Sequence, residues 1–155
     1  MCIKYLNFQK KKIQDAYYNL TQKIKSDLNN QSNKYGYKNS LQAKVMNQKN
    51  QIVYDKIYST SIKNEFISNC YAGSLFGVIQ ANGDVSPCEI LSDKFGNLRD
   101  YDYDFIKLWE KKSRQDFCKR IKNNKCFCTY ECAWTFNVLG NKKYHLNLLK
   151  GIAKT

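Results

Sequence analysis

Six of the seven cysteines lie between Cys70 and Cys132, and they are grouped around a turn sequence. Cys70 comes first, and Cys88 closes the stretch Gly83-Asp84-Val85-Ser86-Pro87-Cys88. The run Cys126-Phe127-Cys128-Thr129-Tyr130-Glu131-Cys132 completes the set. No other feature constrains the fold as much, because thiolates from separated segments can share one centre only if the backbone brings those segments together. Small arrays of thiolates in a reducing compartment hold a metal ion or an iron–sulfur cluster. The opening residues favour such a compartment: Lys4, Asn7 and Gln9 interrupt the apolar residues before a secretory h-region forms. No stretch approaches the roughly twenty apolar residues needed to cross a bilayer. A cytoplasmic chain with reduced thiols is therefore expected, rather than a disulfide framework.

With 155 residues the chain has room for about one domain. Hydrophobic residues make up 43% and aromatics 14%, enough for a modest core. The net charge of +13 permits contact with nucleic acid or an anionic surface. The lysines are dispersed among asparagines, however, with short runs only at Lys10-Lys11-Lys12, Lys111-Lys112 and Lys142-Lys143. That is the pattern of a solvated surface, so nucleic acid is the weaker partner class.

Ile13, Tyr17, Leu20, Ile24 and Leu28 recur at helical spacing and predict an amphipathic helix that ends in the polar stretch around Gly36. Leu41, Val45, Ile52, Val53 and Ile57 predict a second helix. The pattern then changes to β-formers. Leu75, Phe76, Val78 and Ile79 lead into Asn82-Gly83, which predicts a hairpin from about Leu75 to Cys88 with both turn residues at positive φ. Its second strand is expected to be short, because Pro87 removes a ladder donor. Phe95-Gly96-Asn97-Leu98 has the composition of a turn. Beyond it, Asp102 or Asp104 would cap a helix carrying Phe105, Leu108, Trp109, Phe117 and Ile121. Asn123-Asn124 stops that helix just ahead of the last cysteines. The expected class is α+β: a small hairpin and helices around a cysteine-rich module, with a helical N-terminal segment. The divisions are 1–60, 61–140 and a C-terminal tail at 141–155.

Cys70, Cys88, Cys126, Cys128 and Cys132 are the candidate metal ligands, five where a cubane cluster or a tetrahedral zinc ion needs about four. Structural zinc usually shows paired C-x2-C knuckles, and the chain has none. Unequal spacings from three separated segments suit an iron–sulfur cluster better. Cys118 follows the core-facing Phe117 within the predicted helix and is assigned a structural role. Tyr130, Phe127 and Trp134 would wall the thiols from solvent, and Glu131 would tune them. His145, the single histidine, gives no basis for a Cys–His or Ser–His–Asp site.

Taken jointly, Cys70-Tyr71-Ala72-Gly73, the stretch Val78 to Leu91 and Gly96-Asn97-Leu98-Arg99 resemble the C-terminal auxiliary-cluster module of radical S-adenosylmethionine enzymes, the SPASM or twitch domain. Gly83 and Cys88 match its G-x4-C, Trp109 marks its intervening helix, and Cys126, Cys128 and Cys132 match its last cysteine group. The resemblance implies one [4Fe–4S] cluster. It departs from the full SPASM pattern, which carries enough cysteines for two clusters. The C-x3-C-x2-C motif that binds S-adenosylmethionine is absent from the sequence. The resemblance therefore implies an auxiliary module that is not catalytic alone, with residues 1–60 resembling the end of a core and its linker. S-adenosylmethionine would enter only with a separate core, and the implied partners are such a core protein or a peptide or protein substrate. The alternative from another class is a zinc-stabilised basic module that binds nucleic acid.

Overall fold

The computed structural model describes residues 10–29 and 40–153. The helical reading of residues 1–9 and the helix stop near Gly36 lie outside the described residues. Two long helices, α1 (Lys10–Asn29) and α2 (Leu41–Lys63), occupy the N-terminal segment as its apolar spacing requires. Ser40 caps α2, its Oγ accepting from Ala43 N at 3.1 Å. Asn64 ends the helix in the left-handed region at φ 53° and donates its N–H to Thr60 O.

α2 is the centre of a helical core. The helices α5 (Glu131–Gly140) and α6 (Lys142–Ala153) pack against it, burying Ile52, Val53, Ile57, Trp134, Val138, Tyr144 and Leu148 together. The segment expected as a tail thus contains α6. α1 packs chiefly on α2, and this changes its expected stripe. Ile13 and Leu20 are exposed, while Tyr17, Ile24 and Leu28 are half-buried. One helical neighbour covers only a narrow strip, too little for an apolar face that winds around the cylinder.

A second core lies around a three-stranded antiparallel sheet, β1 (Val78–Ile79), β2 (Asp84–Ser86) and β3 (Gly96–Asn97), in that order. Val78 pairs with Ser86 and Ile79 with Val85, while Val85 also faces Gly96 on the other side. The predicted hairpin is present, but shorter, since residues 71–76 form a turn in which Ser74 N and Leu75 N both reach Tyr71 O. The loop Ala81-Asn82-Gly83 holds positive φ at Gly83 alone (89°), and Gln80 N reaches Asp84 O at 2.8 Å. This is a three-residue loop with a glycine bulge rather than the two-residue turn expected. Phe95 to Leu98, expected as a turn, supplies β3 instead. Asp84 draws it in, accepting from Asn97 Nδ2 at 3.0 Å and from Lys94.

The helix expected to run from Phe105 through Ile121 is two helices, α3 (Phe105–Trp109) and α4 (Lys112–Asn123). Asp104 caps α3, accepting from Lys107 N at 3.0 Å, and Asp102 instead ends the preceding 3₁₀ turn at φ 52°. Lys111 breaks the run with ψ 145°. The carbonyls freed at Trp109 and Glu110 are taken by Arg114 Nε and Gln115 Nε2. The break has a packing reason. In one straight helix Trp109 and Phe117 would lie about 12 Å apart along the axis. As built, both rings meet Phe95 edge-on, at centroid distances of 5.8 and 5.5 Å.

Candidate metal centre

Each thiol reaches the second core through a local feature of the chain. Cys88 follows β2 and the buried Pro87, and the amides of Ile90 and Leu91 hydrogen-bond to its sulfur. Cys70 precedes the 71–76 turn and receives the Ala72 N–H. Cys126 is delivered by the end of α4. Lys125 takes the left-handed conformation at φ 49°, so that Cys126 N reaches Ile121 O at 3.0 Å and Lys125 N reaches Lys122 O at 3.2 Å. This paired closure is a Schellman stop, and it is completed by the apolar contact of Cys126 with Ile121 in the core. The Cys126 S–H donates to the Cys70 sulfur.

Cys118, assigned a structural role from sequence, stands with these three. It packs against the same cluster as Cys70, Cys88 and Cys126. Its Sγ lies 3.9 Å from Ala72 O, and Arg114 Nη1 lies 3.9 Å from it. Arg114 is fixed in turn by a 2.9 Å bond to Gly73 O and by the face of Trp109. Helical spacing did offer a hint, since Arg114 and Cys118 are i and i+4 on one strip of α4.

Cys128 lies in the segment between α4 and α5, and Cys132 lies in α5. The Cys128 carbonyl accepts from Trp134 Nε1 at 2.8 Å, which ties it to α5. Cys132 is exposed in the first turn of α5, where Tyr130 hydrogen-bonds both to its thiol and to Glu89. Trp134, expected to wall the thiols, is buried in the helical core instead. Glu131 faces α1 and α2, where its charge is felt by Tyr17 and Lys49. His145 sits on α6, its Nε2 2.9 Å from Leu139 O.

The electrostatics separate the thiols. The hydrogen bond from Cys126 draws the Cys70 thiol below its ordinary range, against the effect of burial and with help from the Ala72 amide. Burial pushes Cys88 and Cys118 upward, partly offset by backbone amides at Cys88 and by Arg114 at Cys118. Amide donors and a guanidinium aimed at sulfur stabilise thiolate, the form that binds metal. Among the described residues no three His, Cys, Asp or Glu side chains converge on a single metal ion. Thiolates on one zinc ion sit about 3.8 Å apart, whereas those on the corners of a cluster are spread wider. The donor set, four soft thiols in an apolar surround with N–H groups at sulfur, fits an iron–sulfur cluster. A cleft of about 380 Å³, lined by Leu91, Phe117, Ile121, the Arg120–Asp93 ion pair and Cys126, lies beside the Cys126 end of the group.

Residues 70–133 match the family model SPASM, described as an iron–sulfur cluster-binding domain. The match runs from the first core cysteine to the start of α5 and contains the sheet, α3 and α4. This segment is a SPASM/twitch-type domain, and its cofactor is of the iron–sulfur class. No curated protein and no solved structure matches the chain. Among the described residues, no helix is long and apolar enough to cross a membrane.

Proposed function

We propose that the chain holds one [4Fe–4S] cluster and works as the auxiliary module of a radical S-adenosylmethionine system in the cytoplasm. Cys70, Cys88 and Cys126 supply three of its ligands. The observation that carries this reading is the coincidence of the family match with the thiols gathered at Ala72. When bound, the cluster supplies one-electron transfer. The chain's part is to aim N–H donors at the Cys70 and Cys88 sulfurs, to exclude bulk water with Phe95, Phe117 and Leu108, and to leave the cleft beside Cys126 open to solvent. Cleavage of S-adenosylmethionine belongs to a core bearing C-x3-C-x2-C, which the sequence lacks.

Anaerobic purification followed by iron, sulfide and zinc analysis tests the proposal. Iron and acid-labile sulfide near four of each per chain, with an electron paramagnetic resonance signal on reduction, is the expected result. Zinc alone, without sulfide, would refute it.

A further inference from the structure

Resting on the cluster reading above, we infer that Cys118 is the fourth ligand, so that the set is Cys70, Cys88, Cys118 and Cys126. The argument turns on Ala72, which is 1% exposed and lies between two thiols. Its N–H bonds the Cys70 sulfur, and its carbonyl accepts from Cys118 Sγ at 3.9 Å. Cys126 joins through Cys70, and Cys88 packs on the same apolar cluster. Four cysteines therefore border one apolar cluster of the second core, drawn from the chain before the sheet, the stretch after β2, the middle of α4 and its C-terminal stop.

Arg114 reinforces the assignment. A guanidinium is expensive to hold in a half-buried position, yet this one is anchored to Gly73 O and Trp109 and turned towards Cys118. With Cys118 bound to iron as thiolate, the guanidinium would stand beside its negative charge. Cys132 lies exposed beside Tyr130, and the Cys128 carbonyl accepts from Trp134 Nε1 at 2.8 Å. On metal binding the Cys118 proton leaves to solvent and its sulfur moves from the Ala72 carbonyl to iron, with no change in oxidation state.

The test uses the full chain, reconstituted anaerobically with ferrous iron and sulfide. In C118S most of the bound iron and sulfide should be lost, while C128S and C132S keep the wild-type content. Differential alkylation of the unmutated protein supplies a second measurement that no folding defect can confound. Loading should slow iodoacetamide labelling at Cys118 in step with Cys70, Cys88 and Cys126, and leave Cys128 and Cys132 unchanged. If wild type loads but Cys128 is protected in place of Cys118, the assignment falls while the cluster reading stands. If wild type takes up neither iron nor sulfide, both fall.

Discussion

Replacing Gly73 by alanine should destabilise the second core by about 2–5 kcal/mol, a sum of two separate costs. Gly73 has φ +74°, and an L-residue in that region pays about 1–2 kcal/mol. The added Cβ would also stand 3.0 Å from Phe95 Cζ and 3.1 Å from Phe117 Cδ1. Both rings are buried and held edge-to-face, so neither can retreat without disturbing Trp109 or the thiol group. Overpacking of that kind costs about 1–3 kcal/mol. The assay is urea unfolding followed by circular dichroism, with wild type and variant matched in iron content. A slope of about 2 kcal/mol per molar would convert the cost into a midpoint lowered by about 1–2.5 M. Gly140→Ala is the control. Its Cβ would crowd Leu75 Cδ1, but that atom ends a half-exposed flexible side chain, and alanine favours the helix. An unchanged midpoint in G73A, or an equal loss in G140A, would show that the packing around Gly73 is not as tight as described.

Lys125→Gly should stabilise the fold by about 0.5–1 kcal/mol, because glycine meets the left-handed φ of 49° without a Cβ penalty; thermal melting checks it. Asp84 is held near a pKa of about 2 by hydrogen bonds from Lys94, Asn97 and Asn82. Its contribution is present above the ordinary 3.8 and is lost as pH falls towards 2, so D84N should flatten an acid-unfolding curve in that window. Lys49 is buried at 6% exposure, with Nζ 3.4 Å from Thr135 Oγ1, and burial draws its pKa below 10.5. The unfolded chain holds that proton more tightly, so stability should rise as pH climbs towards 10.5, and K49M should lose this rise; unfolding free energies across the alkaline range decide it.

The features legible in the sequence were those written in local chemistry. The α2 core residues Ile52, Val53 and Ile57, the Asp104 cap and the hairpin glycine follow from spacing and turn preference alone. The break between α3 and α4 was not legible, because neither proline nor glycine marks it. It exists so that Trp109 and Phe117 can both reach Phe95, a contact made across the fold. β3 escaped for the same reason: Asn97 pairs through Asp84, thirteen residues away. The surroundings of Cys118 were not legible because it stands inside a helix without a cysteine neighbour, and only the Ala72 carbonyl and Arg114 reveal the company it keeps. The Lys125 turn that directs Cys126 inward was not legible either, since a lysine at positive φ carries no sequence signal.

α5 makes contacts on both sides of the molecule. Its Trp134 Nε1 donates to the Cys128 carbonyl, its Asn137 accepts from Tyr71 N at 2.9 Å beside Cys70, and its Phe136 stacks on Phe76, while Trp134 and Val138 fill the helical core. With a cluster bound, its loss would therefore loosen the same helix that α2 and α6 pack against, and heat that melts those helices would expel the iron. The indole at 134 is a built-in optical gauge for that coupling. Its fluorescence should report cofactor departure as one sigmoidal event rather than two.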